Sequence, residues 1–376
     1  MRMNTKVYFL LFATVLGALS ACSRHPPGVG KPVAWSELVD WDKDQHHEAW
    51  PALLQTCQTL PRSDATWKPL CAQAKQIPTP TAAQAKLFFE TWFQPHAVYN
   101  DKNGREGKFT GYYNPLIEGS RLASAEYPHP LYARPKDLLE IDLTSLYPQL
   151  KGMRLRGRVQ GNKVIPYFSS QQINAGASPF KGEVLFWIKN PIDLFFLHIQ
   201  GSGKIKLPDN TIIPVGYHDQ NGHPYVAIGG VLKRLGELKD PVNMQSIRDW
   251  FKRYPQRIPE ILAQNPSFVF FRLQDPPHPE PLGSLGVPLT PERSVAVDRK
   301  HISLGLPLWI ETDLPDALQK TPWRRLVFAQ DTGGAIGGPV RVDFYWGSGE
   351  RATYMAGNMN QKGRVYVLLP KSVVRN

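Results

Sequence analysis

Apolar positions keep a helical stride in the first hundred residues and a strand's alternation through most of the remaining chain. Trp50, Leu53, Leu54 and Cys57 recur at i, i+3, i+4 and i+7 and predict a first helix. Ser63 is placed to cap a second helix carrying Leu70 and Cys71. A third opens at Thr81 after Pro80, shows Ala85, Phe88, Phe89 and Trp92 as its stripe, and is expected to stop at Pro95. Beyond it come short runs broken by glycine and proline, such as KFTGYYNPLIEG, GEVLFWIKN and LFFLHIQGSGKIKL, which read as strands and turns. One helical interval interrupts them from Met244 to about Leu262, with Ile247, Trp250, Phe251 and Tyr254 on one side and a break at Pro255 and Pro259. The last hundred residues return to strands in PSFVFFRL, PLWIET, RRLVFAQ, VRVDFYWG and RVYVLLP. No repeat of fixed period and no long charge run is present.

Composition sharpens this picture. At 376 residues, 42% hydrophobic and 20% charged, the chain reads as a soluble globular protein of one large or two modest domains. Thirty-five prolines and thirty glycines spread along it favour a β-rich fold with many turns. The amino terminus departs from that pattern. Arg2 and Lys6 precede an apolar stretch from Val7 to Leu19, an export signal too short to span a bilayer. Leu19-Ser20-Ala21-Cys22 resembles the bacterial lipobox, in which residues 1–21 are removed and Cys22 is acylated; a plain signal peptide is the alternative. Residues 22–45 are then expected to be a tether, on the strength of SRHPPGVGKPVA. Ser23 after the cysteine favours, by resemblance to bacterial lipoproteins, the periplasmic face of the outer membrane.

Cys57 and Cys71 remain. An exported protein permits a disulfide that staples the first two helices; two separately buried thiols are the alternative. Neither cysteine has a histidine constellation that would make it catalytic. His46-His47 and the other histidines lack metal-ligand spacing, so no metal is expected.

The strongest chemical signal is RRLVFAQDTGGAIGG, residues 324–338. Alternation along this strand puts Val327, Ala329 and Asp331 on one face and Leu326, Phe328 and Gln330 on the other. Asp331 then stands at a strand end beside glycines, where a bulky substrate can approach and the apolar strand can raise the carboxyl's pKa. Asp-Thr-Gly also marks aspartic proteases, but those share one proton between two such loops, and this chain has one. The glycine run lacks the G-K-[ST] ending of a phosphate loop. Net charge is +12, or about +10 once Arg2 and Lys6 are subtracted (12 − 2), which suits an anionic partner. Nucleic acid is disfavoured by the export signal and by the absence of concentrated Lys/Arg with interleaved aromatics.

Seven strings in order, FTGYYNP (109–115), HIQGSG (198–203), GYHDQNGHPYVAIG (216–229), QNPSFVFF (264–271), VAVDR (295–299), AQDTGGAIGG (329–338) and VRVDFYWG (340–347), resemble the membrane-bound lytic murein transglycosylase A family. The resemblance runs from about residue 50 to the end. It implies a mainly β fold with a few N-terminal helices. A double-psi β-barrel, the 3D domain, would comprise 46–113 and 266–376, with a second β-domain inserted over 114–265 and a substrate cleft between them. Asp298, Asp331 and Asp343 look like the three aspartates that name the 3D domain.

The implied reaction is cleavage of the β-1,4 bond between N-acetylmuramic acid and N-acetylglucosamine in peptidoglycan, leaving a 1,6-anhydromuramoyl end. A hydrolase of such bonds needs two carboxylates. A lytic transglycosylase needs one, here Asp331 as acid and then base, because the sugar's own 6-hydroxyl attacks. No cofactor is required. By motif, Tyr112 and Tyr113 would offer faces to sugar rings, Thr110 a hydroxyl, and Gln200, Gly201 and Ser202 a close polar turn. Core packing is the competing reading of the tyrosines. Asp343 fits either a cleft contact or an ion pair with Arg341, and Asp298 either a substrate contact or a turn. Glu118 and Glu311 are further carboxylates with no supporting context. His198, where an acidic residue can stand in the family, reads as a satisfied, partly buried side chain. Peptidoglycan strands and the outer membrane are the expected partners, with murein synthesis and remodelling proteins as candidates. A noncatalytic wall-binding lipoprotein is the alternative function.

Overall fold

The computed structural model describes residues 25–59, 65–176, 179–274, 277–315 and 321–371. Cys22 and the cap expected at Ser63 lie outside them. In chain order the strands are β1 Gly28–Pro32, β2 Phe93–Tyr99, β3 Gly107–Tyr112, β4 Leu116–Ser120, β5 His129–Tyr132, β6 Leu139–Glu140, β7 Arg156–Gln160, β8 Lys163–Pro166, β9 Val184–Ile188, β10 Ser202–Lys206, β11 Ile212–Gln220, β12 Val269–Leu273, β13 Ser294–Val297, β14 Pro307–Asp313, β15 Pro322–Asp331, β16 Arg341–Tyr345 and β17 Asn360–Pro370. The helices are α1 Trp50–Thr59, α2 Trp67–Lys75, α3 Ala82–Trp92, α4 Ser170–Asn174, α5 Pro191–Gln200, α6 Ile228–Arg234, α7 Met244–Arg253, α8 Ile258–Leu262 and α9 Glu350–Asn358.

Six strands close on themselves in the order β17-β14-β15-β13-β16-β3, and β17 returns to pair with β3. The closure depends on the length of β17. Asn360–Gly363 pairs with β3, Arg364–Val367 with β14, and Tyr366–Pro370 with β2. Two contacts in the ring, β13 with β15 and β16 with β3, are parallel. Alternation sorts the side chains: Val295, Leu308, Val327, Ala329, Val342 and Val365 share one buried cluster, while Trp309, Leu326, Phe328 and Leu368 join α1, α2 and α3 in another. Cys57 and Cys71 are bridged, with Sγ–Sγ 1.97 Å, tying α1 to α2.

The segment expected as a tether is in fact folded from Gly28 onward. β1 pairs with β2, Leu38 and Trp41 are buried, and Asp44 meets Arg293. Arg293 is 1% exposed and donates from Nη1 and Nη2 to the two oxygens of Asp44 at 2.7 and 2.9 Å. Proline and glycine mark a flexible segment only when no large side chains anchor it, and two tryptophans and this ion pair do so here.

Between β3 and β13 lies a second body. Its sheet runs β12-β11-β10-β4-β9-β5, with a small sheet β6-β7-β8 beside it. Because β12 pairs antiparallel with β11, residues 266–273 belong with this sheet, and the boundary expected at 266 falls too early. Helices α5 to α8 cover it around Phe195, Phe196, Trp250 and Phe251.

Helices α4, α5, α6 and α9 fall where the sequence reading expects strands and turns. LFFLHIQ is α5, a helix: Asn190 Oδ1 accepts from Ile192 N at 2.8 Å, Pro191 fills the first turn, and Gly201 closes the other end at φ 76°. Its period is hidden because Phe195 and Phe196 face one cluster and Leu197 another. Helix α9 interrupts a region that reads as strands alone. Thr81 does cap α3, accepting from Gln84 N at 3.2 Å, but α3 ends at Trp92 and Pro95 lies inside β2.

Candidate active site

Asp331 ends β15, and a bulge decides where it points. Val295 opposes Ala329, but the next residue of β13, Ala296, opposes Asp331 rather than Gln330. The extra residue turns Asp331 away from the cluster that holds Val327 and Ala329, so strict alternation misplaces it. It joins a lateral row across four strands: Asp331, Ala296, Asp343 and Thr110. At about 4.8 Å between neighbouring strands, the two aspartate backbones stand roughly 10 Å apart over a small alanine. Gln330 fixes the strand end from behind, donating to Ala52 O at 2.9 Å and Thr56 Oγ1 at 3.1 Å, and accepting from Ser294 Oγ at 2.6 Å.

Four donors converge on the Asp331 carboxyl. Oδ1 accepts from Ser284 N at 2.9 Å, Ser284 Oγ at 2.8 Å and Thr332 N at 2.8 Å; Oδ2 accepts from Tyr112 Oη at 2.9 Å. Burial raises its pKa above the usual carboxylate value, and the bonds from Ser284, Thr332 and Tyr112 pull the other way without cancelling it. Ser284 is a residue that sequence reasoning missed. Its loop lies against β15 because Gly283 has no side chain: a Cβ there would stand 2.5 Å from Gln330 O. The motif PLGSLG, 47 positions upstream, carries no pattern that links it to Asp331.

The tyrosines are packed, not open platforms. Tyr112 is 7% exposed, with its ring 5.2 Å from Tyr345 and its hydroxyl on Asp331; burial and that negative charge push its pKa up. Tyr113 is 3% exposed, facing Met244 of α7. Tyr345 donates to Glu280, another carboxylate of this neighbourhood that carries no signal in the sequence.

Asp343 accepts from Thr110 Oγ1 at 2.5 Å, and Arg341 Nη2 donates to that same oxygen at 2.8 Å. Thr110 therefore links Asp343 to Arg341. Burial raises the Asp343 pKa; Thr110 and the Arg341 charge oppose it, and Asp331 adds to it. Asp298 organises loops: Oδ1 accepts from Lys300 N at 3.0 Å and Oδ2 from Gly338 N at 2.8 Å, which ties the glycine run back to β13. Beside that run, a Cβ on Gly337 or Gly338 would meet nothing within 4 Å, so the loop faces open space.

Gln200, Gly201 and Ser202 form the turn from α5 into β10, and Gln200 Oε1 accepts from Tyr113 N at 2.9 Å, joining the insert to the barrel. His198 accepts from Val269 N at 3.2 Å, and burial lowers its pKa to about 4. Glu118 is exposed and pairs with Lys189, while Glu311 sits at the far end of β15's partner, opposite Arg324. Among the described residues no cluster of His, Cys, Asp and Glu could hold a metal.

Known proteins match this architecture. A model of the MltA specific insert domain covers residues 108–272, and a model of the 3D domain covers 293–369. The chain is 36% identical over 267 residues to membrane-bound lytic murein transglycosylase A of Escherichia coli K12, covering 69% of this chain and 65% of that protein, just under two thirds of its length. It is similar to the crystal structure of MltA from Neisseria gonorrhoeae in its monoclinic form, with TM-score 0.77 and 36% identity over 92% of this chain and 97% of that one. It is also similar to E. coli MltA with bound chitohexaose, with TM-score 0.67 and 27% identity over 92% and 95%. With both domain regions matched in order and a solved relative covered almost end to end, the chain belongs to the membrane-bound lytic murein transglycosylase A family.

Proposed function

We propose that this protein is a lytic transglycosylase of peptidoglycan, with Asp331 as its acid and base. The observation that carries the reading is the asymmetric environment of that carboxyl. Oδ1 is held by three donors, whereas Oδ2 has the Tyr112 hydroxyl, so Oδ2 is the oxygen left to carry a proton, and burial raises the carboxyl's pKa in favour of that protonated form. Oδ2 gives its proton to the glycosidic oxygen as the C1–O bond breaks; the muramoyl O6 then bonds to C1 and returns its proton to Oδ2. Proton count is unchanged over the cycle, and no water enters. Asp343, partly buried and held by Thr110, is a further carboxylate of this row; ionised, as the Arg341 charge favours, it would stabilise positive charge on the sugar ring.

The relative with bound chitohexaose supports a glycan chain as the ligand class. The six-stranded ring with two parallel pairs fits the double-psi barrel expected from the resemblance. Acylation at Cys22 would hold the protein on the periplasmic face of the outer membrane, within reach of murein synthesis and remodelling proteins. No described helix is long and apolar enough to cross a membrane.

The test is incubation with murein sacculi followed by mass spectrometry. Anhydro-ended muropeptides are expected from the wild type and none from Asp331→Asn, whose circular dichroism remains native. Reducing ends, or full activity of Asp331→Asn, would reject the acid–base assignment; binding to sacculi without products would favour the noncatalytic wall-binding alternative.

A further inference from the structure

Where the insert meets the barrel there is a cavity of about 390 Å³, within the size range of small-ligand sites, about 300–1,000 Å³. Phe195 and Phe196 of α5 and the exposed Tyr225 give it aromatic walls, Gly230 of α6 leaves its side open, and Lys108 and Lys233 supply its charge. No carboxylate lines it. Lys233 pairs with Asp240 at 2.5 Å, but both are exposed, and such surface pairs exchange readily. Lys108 has no carboxylate within 4 Å among the described residues.

Lys108 relates the cavity to the strand that carries Thr110 and Tyr112. Lys108, Thr110 and Tyr112 alternate onto one face of β3, and the charge of Lys108 is felt at the Asp343 carboxyl. A group extending from a sugar near Asp331 and Asp343 along this face of β3 would meet Lys108, which also lines the cavity. On the reading that peptidoglycan is the substrate, the group that combines carboxylates with short alkyl side chains is the peptide stem of the muramoyl residue. At about 3.3–3.6 Å per extended residue, a stem of several residues spans a distance on the scale of a small domain face.

We propose that this cavity is a binding site for the acidic peptide stem, with Lys108 and Lys233 meeting its carboxylates and Phe195, Phe196 and Tyr225 its alkyl groups. The test is calorimetric titration of the full-length chain in detergent with a free stem tripeptide and with the same tripeptide fully amidated. The free acid should bind about tenfold or more tighter than the amide. Gly230→Phe should weaken the free acid by about tenfold by filling the cavity, since a Cβ there meets nothing closer than Arg234 Nη1 at 4.0 Å. Lys233→Glu, at a surface position, should weaken it as well, while Asp331→Asn binds like the wild type. Equal affinity for acid and amide, or indifference to both Gly230→Phe and Lys233→Glu, would overturn the proposal. Anhydro ends with no tripeptide site would remove the pocket and keep the reaction; a tripeptide site with reducing ends would do the reverse.

Discussion

Replacing Tyr112 by phenylalanine removes one oxygen and leaves the ring against Tyr345. That oxygen donates to Oδ2 of Asp331 at 2.9 Å, the atom assigned the travelling proton, while the three donors on Oδ1 stay in place. A hydrogen bond to a charged group contributes about 1.5–3 kcal/mol, so the carboxylate loses about that much relative to the protonated acid. If roughly half of this difference is expressed when the proton is partly transferred, the rate falls roughly four- to twelve-fold, at about 1.36 kcal/mol per tenfold. The pH profile carries a sign. The Tyr112 bond lowers the Asp331 pKa, so removing it raises that pKa further, and the limb where activity is lost by deprotonation moves to higher pH. Anhydromuropeptide release from sacculi across pH, quantified by liquid chromatography and mass spectrometry, measures both. A profile that shifts toward acid, or one that does not move while the rate is unchanged, would show that Tyr112 does not act on Oδ2.

Two further substitutions test how the site is held. Gly283→Ala places a methyl 2.5 Å from Gln330 O, which forces the Ser284 loop outward; activity should drop about tenfold or more, with stability reduced by about 1–3 kcal/mol in urea denaturation. Asp44→Ala leaves Arg293 buried without its bidentate partner and should cost about 3–5 kcal/mol by the same assay, whereas a change below about 1 kcal/mol would mean the segment before residue 46 contributes little to the fold.

Asp331 can be singled out in the sequence because it ends an apolar strand in a short glycine-rich motif, although two of the residues that hold its carboxyl, Tyr112 and Ser284, lie 219 and 47 positions away. Its orientation is not legible there, since a one-residue bulge defeats alternation and leaves no mark in the string LVFAQD. Ser284 is invisible for a related reason: the contact is made by a backbone that comes close only through the missing side chain of Gly283. The early helices can be read from their stripes, yet α5 reads as a strand because it is buried on two sides and its polar face nearly vanishes. The folded segment from Gly28 to Asp44 shows the opposite error, in which proline and glycine outweigh Trp35 and Trp41, whose rings lie 4.7 Å apart.

Because β17 pairs with β2, β3 and β14, the last described strand is also the one that closes the ring around Thr110 and Tyr112. During synthesis, β3 must therefore wait about 250 residues for its final neighbour, a delay read from the spacing of residues 107–112 and 360–370. A chain that lacks β17 has Asp331 in its sequence but leaves the ring beside Tyr112, which holds that carboxyl, without its closing strand. Any activity that depends on this site would thus be withheld until β17 joins β3, without any inhibitor to impose the delay.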